Sequence, residues 1–175
     1  MHRQTILSPC RQYRYVLWRE WDKTNASYVL FVGLNPSTAD ETEDDPTIRR
    51  CMNYAKRWGY GALCMVNLFA YRATDPDAMK AHPQPVGTEN DYWIRKMARE
   101  AGVVVAAWGV HGTHAHRDEI VKRLLGPKLT YLRKTKAGHP RHPLYLKKSL
   151  KPSAFVTSTK KFKSPARRIL QQVQR

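Results

Sequence analysis

The last 56 residues of this 175-residue chain contain no Asp or Glu. From Ile120 to Arg175 there are 16 Lys and Arg, whereas residues 1–119 set 15 basic side chains against 14 acidic ones. Nearly all of the formal net charge of +17 therefore sits in the final third. A polyanion relieves such self-repulsion, and nucleic acid is the partner class this distribution points to. Cysteine is equally scarce. Cys10, Cys51 and Cys64 are scattered and no C-x-x-C occurs, which argues against a disulfide framework and against a cysteine-built zinc or iron–sulfur site. A reducing cytoplasm is the expected compartment. Long apolar runs are missing too: none approaches the roughly 20 residues of a membrane span, and no apolar signal region follows Met1–Thr5. The expectation is one domain over residues 1–150, large enough for a substantial core, followed by a basic tail over 151–175 with a short helix pattern from Pro165.

What is present reads as alternating elements. Tyr13 to Trp21 is rich in aromatic and β-branched residues and predicts a strand. Tyr28–Val32, Ala62–Leu68 and Val103–Trp108 are continuous apolar runs, the mark of strands buried on both faces, and Leu129–Leu132 predicts a short fourth. Between them, Asp45-Pro46 caps a helix that ends near Gly59. Thr88 caps a second helix through about Glu100, and a third runs from about Thr113 to Leu125. Tyr71 to Gly87 reads as a loop. Buried strands alternating with helices imply a mostly parallel α/β sheet, whose ligands bind beyond the carboxyl ends of the strands. Asn35, Asn67, His111, His139 and His142 all fall there.

Each candidate has a bland reading beside a functional one. Gly33-Leu34-Asn35-Pro36-Ser37 is either an ordinary turn or a rigid loop that aims an amide and backbone N–H groups at a ligand. Asp40, Glu41, Glu43, Asp44 and Asp45 form either a solvated loop or a source of one carboxylate that activates water or stabilises a cationic transition state. Asn67 interrupts an apolar strand, so its amide either bonds a neighbouring loop or reads a nucleobase edge. His111, His114 and His116 with Asp118 fit no standard zinc spacing. His139-Pro140-Arg141-His142-Pro143 is a stiff loop presenting two imidazoles, with Arg141 placed for phosphate. A neutral imidazole donates a hydrogen bond to an anionic leaving group. Lys147, Lys148, Lys151, Lys160, Lys161 and Lys163 interleave with Phe155 and Phe162, either as a solvated face or as phosphate contacts with base stacking.

The stretch from Phe31 to Pro76 (GLNPSTAD…DDPTIRRC…WGYG…VNLFAYRATDP) resembles a bacterial and phage family known as domain of unknown function 1643, over about Val29 to Leu150. The ordered set Gly33-Leu34-Asn35-Pro36-Ser37, Asn67, the strand to Trp108-Gly109, and His139-Pro140-Arg141-His142-Pro143-Leu144 also resembles the uracil-DNA glycosylase superfamily. That second resemblance implies a three-layer α/β/α fold around a central four-stranded, mostly parallel sheet. It implies that Asn35 positions the attacking water and that Asn67 reads the base. It places Phe69 for base stacking, and Leu144 or Tyr145 near the gap left by a flipped base. His139 matches the histidine that stabilises the departing base, and His142 competes for that role. Asn35 stands where the most active branch has an aspartate, so Asp44 or Asp45 is the candidate for water activation. The expected function is an enzyme acting on a flipped, modified or damaged pyrimidine in single- or double-stranded DNA, without metal or cofactor, membrane or obligate protein partner. Remodelling of a base side chain and non-catalytic nucleic-acid binding are the alternatives.

Overall fold

The computed structural model describes residues 1–37 and 43–155. Strands β1 (His2–Leu7), β2 (Arg14–Glu20) and β3 (Tyr28–Gly33) lead to helix α1 (Pro46–Arg57) and strand β4 (Ala62–Asn67). Helices α2 (Pro76–Ala81) and α3 (Asn90–Glu100) precede β5 (Val103–Ala106), and α4 (Arg117–Leu125) precedes β6 (Leu129–Tyr131) and β7 (Ser153–Ala154). Among the described residues all seven strands join one mixed sheet in the order β1-β2-β4-β3-β5-β6-β7. Strand β3 pairs in parallel with β4 and β5, and β5 with β6. The pairs β1–β2, β2–β4 and β6–β7 are antiparallel. The expectation of four strands therefore needs correction: antiparallel strands extend the four mutually parallel ones on both sides.

The apolar runs have the burial they predict. Val29, Phe31, Leu63, Met65 and Val105 point to one face and pack under Ile48, Cys51, Met52, Tyr54 and Ala55 of α1. Leu30, Val32, Cys64, Val66, Val104 and Ala106 point to the other, under Ile94 and Ala98 of α3 and Val121 and Leu125 of α4. With helices on both sides, neither face of β3, β4 or β5 is left for water, so hydrophobic and polar residues do not alternate there. At the start of α1, the Asp45 carboxylate accepts from the Ile48 amide at 2.8 Å and Pro46 occupies the first turn.

Other expectations shift. Strand β1 gives no strand signal in the sequence because its outer half is polar and exposed. Strand β7 is only two residues long and lies just past residue 150. The segment 71–87 holds α2, capped by Asp75, whose side chain accepts from the Asp77 amide at 2.9 Å. Helix α3 starts at Asn90 after Glu89, without a side-chain cap. Residues 110–116 form 3-10 turns, because Ala115 and His116 take left-handed φ of 51° and 53°, so α4 begins only at Arg117. Among the described residues no helix is long and apolar enough to cross a membrane.

Candidate functional site

Parallel strands leave their carboxyl ends on one edge, and a cleft of about 430 Å³ opens there. That volume lies within the range of about 300–1,000 Å³ common to small-molecule sites. The β3 turn contributes Gly33, Leu34, Asn35 and Ser37; β4 contributes Met65 and Asn67; the end of β5 contributes Trp108 and His111. Asp45 and Ile48 enter from the start of α1, Arg14 from β2, and His142-Pro143 from the loop after β6.

Asn67 is buried, and its Nδ2 has no hydrogen-bond partner among the described residues. Burying a donor without a partner costs about 1–3 kcal/mol, which a ligand acceptor recovers on binding. Asn35 is held differently. Its Nδ2 donates to the Ala73 carbonyl at 2.7 Å and to the Pro36 carbonyl at 3.2 Å. Carbonyls only accept, so the nitrogen must face them and Oδ1 remains as an acceptor. The Ser37 Oγ is also buried without a partner among the described residues.

The two acidic candidates part company. Asp45 lines the cleft while capping α1. Asp44 lies outside the lining and pairs with Arg19, a fully buried side chain, at 2.6 Å, and with Arg3 at 3.4 Å. It anchors the approach to α1 to strands β1 and β2.

The two imidazoles part likewise. His142 lines the cleft, and its Nδ1 accepts from the Leu144 amide at 3.4 Å, which leaves the proton of the neutral ring on Nε2. Although the ring keeps contact with solvent, desolvation by the cleft wall pushes its pKa below the ordinary 6.5, against the opposing pull of Asp45. His139 is not part of the lining. Its amide donates to Thr135 Oγ1 at 3.2 Å and its carbonyl accepts from the Thr135 amide at 2.8 Å, closing a turn. The Pro140 carbonyl then accepts from the Gly109 amide at 3.0 Å and the Arg141 amide donates to the Arg133 carbonyl at 2.8 Å, which ties the His-Pro loop to the ends of β5 and β6.

The depressed His142 pKa carries a sign. The unfolded ring takes up its proton more readily, so the folded state is at full stability above about pH 6.5 and loses stability as the pH falls through the lower folded pKa. His142→Asn is expected to flatten that part of the stability profile, measured by urea unfolding between pH 5 and 8.

Phe69 is fully buried under the α3–α4 face, its ring centroid 5.6 Å from that of His114, and does not line the cleft. Leu144 and Tyr145 follow His142 in a 3-10 turn outside the cleft lining, with Tyr145 88% exposed. Arg141, Lys147, Lys148 and Lys151 are exposed. Three residues of the α1 region, spaced four apart, fix this segment. Arg50 donates to the Leu146 carbonyl, the Tyr54 hydroxyl to the Lys147 carbonyl at 2.8 Å, and Trp58 Nε1 to the Leu150 carbonyl at 3.2 Å. Tyr54→Phe is expected to cost about 1 kcal/mol in denaturant unfolding, since one buried hydrogen bond goes and the ring packing stays. Lys160, Lys161 and Lys163 lie outside the described residues.

Sequence reasoning missed Arg14 and Trp108 as lining, whereas it placed His111 at this edge. Arg14 did carry a signal, as a charge at the head of an apolar strand. The Nδ1 of His111 lies 3.0 Å from Lys80 Nζ. Among the described residues no group of three His, Cys, Asp or Glu side chains comes together to hold a metal ion.

Fold and cleft together define an α/β protein with an open cleft at the carboxyl edge of its parallel strands. The family described as protein of unknown function DUF1643 matches residues 14–144, and the chain belongs to it. Neither the curated proteins nor the solved structures include a match.

Proposed function

We propose that this protein is a DNA-glycosylase-like enzyme that hydrolyses the N-glycosidic bond of a flipped, modified or damaged pyrimidine. The observation that carries the reading is the convergence of Asn35, Asp45, Asn67 and His142 on one cleft, with the Asn67 amide nitrogen buried and unpartnered among the described residues. The four mutually parallel strands, with helices over both faces, support the resemblance to the uracil-DNA glycosylases. The basic segment after His142 supports DNA as the polymer.

In this reading the base enters the cleft and a ring carbonyl accepts from Asn67 Nδ2. Asn35 Oδ1 accepts from a water placed at the sugar. The glycosidic bond breaks with its electron pair going to the base, and water oxygen bonds to the anomeric carbon. Asp45 stabilises the cationic sugar and takes the proton that water loses. His142 donates from Nε2 to the oxygen on which the base's negative charge develops, and remains neutral while doing so. Flipping costs a few kcal/mol, which cleft contacts offset.

Mass spectrometry of bases freed from oligonucleotides tests this. The panel holds uracil, hydroxymethyluracil and larger modified pyrimidines, in single- and double-stranded form. Release that disappears in Asn35→Ala and His142→Ala, but persists in His139→Ala, is the expected result. A mass change on an intact strand would instead identify base remodelling. Binding without either change would identify a non-catalytic module, and both results overturn the glycosylase reading.

A further inference from the structure

Helix α3 begins beneath the cleft. Asn90, at its first turn, is buried and donates through Nδ2 to the carbonyls of Asn67 and Leu68, each at 3.0 Å. Arg117 Nε donates to the same Leu68 carbonyl at 2.8 Å, and the guanidinium pairs with Asp91. The far end of the helix meets the opposite edge of the sheet, where the Tyr28 hydroxyl donates to the Met97 carbonyl at 2.7 Å. The inner face of α3 carries Ile94 and Ala98 into the core. Its outer face carries Tyr92, Arg95, Lys96 and Arg99, which line an open groove of about 620 Å³. Their spacing of three and four residues puts them in one row about 10 Å long.

The chemistry of this row is specific. Tyr92 is 56% exposed, an unusual position for a large ring with no apolar partner face to cover it. Lys96 Nζ lies 4.8 Å from the Trp93 ring centroid and 5.5 Å from that of Tyr92. The two rings meet edge to face at 5.2 Å. Arg95 has no ion pair among the described residues. Arg99 has one with its neighbour Glu100, at 3.5 Å, and both side chains are well exposed, so that pair is weak. Glu89 accepts from Trp93 Nε1 at 3.2 Å, and Asp91 is engaged by Arg117. Lys128 adds a further cation at the end of the helix, donating to the Arg99 carbonyl at 2.6 Å.

We propose that this outer face of α3 is a second nucleic-acid contact, taking the strand that leaves the cleft along Arg95, Lys96 and Arg99 and stacking one base on Tyr92. This rests on nucleic acid being the ligand of the cleft, and uses none of the residues assigned to chemistry. Charge complementarity favours a polyanion. The exposed ring favours a nucleic acid over an acidic protein surface, because cations with an accessible aromatic face meet phosphate and base together. The row then lies across the sheet from the face covered by α1, whose side chains fix the other basic segment.

Fluorescence anisotropy with a labelled single-stranded oligonucleotide, titrated with salt, tests this on the full chain. The triple variant Arg95→Gln/Lys96→Gln/Arg99→Gln is expected to reduce the slope of log affinity against log salt by about 2, at roughly 0.7 for each phosphate no longer neutralised. Tyr92→Ala is expected to weaken binding about fivefold or more with the slope unchanged. All four side chains are exposed, so thermal melting should not move. An unchanged slope in the triple variant, against salt-sensitive wild-type binding, overturns this proposal and leaves the glycosylase reading standing. A reduced slope without base release from any oligonucleotide does the reverse. Tighter binding of poly-L-glutamate than of the oligonucleotide at equal charge, lost in the triple variant, would identify an acidic protein surface as the occupant and overturn the proposal.

Discussion

Asp44→Ala is expected to destabilise the protein by about 3 kcal/mol while base release per folded molecule is retained, and Asp45→Asn to do the opposite. The contrast follows from where two adjacent carboxylates point. Asp44 faces Arg19, whose side chain is wholly buried, at 2.6 Å. Removing one partner of a buried ion pair deprives the other charge of that partner in a poorly solvated interior, which typically costs about 3–5 kcal/mol. The low end applies here because Arg19 also donates to the Trp18 carbonyl at 2.9 Å. The double variant Asp44→Ala/Arg19→Met removes both charges and should recover much of the stability. Asp45 bears on the cleft, and asparagine caps a helix as well as aspartate does. Asp45→Asn therefore keeps α1 intact and removes the negative charge, and release is expected to fall about a hundredfold or more. Urea unfolding and single-turnover release on the same preparations separate the two effects. Equal stability of Asp44→Ala and wild type would show that the buried pair does not hold the loop.

That division was not legible in the sequence, and the reason is physical. Asp44 and Asp45 are neighbours with the same chemistry, and what separates them is Arg19, 25 positions earlier on β2 and silent in any local pattern. The same holds for His139 and His142. Both follow the pattern His-Pro, but the first closes a turn on Thr135 through its backbone and lies outside the cleft lining, and the second reaches the cleft. What local pattern did reveal was burial. The runs Tyr28–Val32, Ala62–Leu68 and Val103–Trp108 are apolar throughout because helices cover both faces, so the strands and the edge bearing Asn35 and Asn67 were readable. Edge strands were not. Among the described residues His2–Leu7 pairs only with β2, and Ser153–Ala154 only with β6, so their sequences answer to one neighbour and to water. The glycosylase resemblance assigns Phe69 to base stacking, whereas its ring is buried beside His114 and does not line the cleft.

Gly33→Ala is expected to abolish most activity through a residue it does not replace. A Cβ built at Gly33 falls 2.6 Å from Asn67 Oδ1, closer than nonbonded atoms settle. Gly33 pairs with Asn67 across β3 and β4 in parallel register, so the proximity is built into the sheet and neither strand can slide away. The Asn67 amide must rotate or retreat, and its Nδ2 then leaves the position from which it meets a base. If that donor strengthens as charge develops on the departing base, its displacement should lower release about 10²–10³-fold. The overpacking should cost about 1–3 kcal/mol of stability. A double-mutant cycle isolates the cause. In an Asn67→Ala background the added methyl keeps only an ordinary contact with the Val66 carbonyl oxygen at 3.9 Å, so Gly33→Ala should be nearly neutral in unfolding, while release stays abolished. If Gly33→Ala costs as much stability without Asn67 as with it, the glycine serves the backbone turn and not the amide. Rescue of stability without rescue of release would mark Gly33 as the residue that makes room for the base-reading side chain.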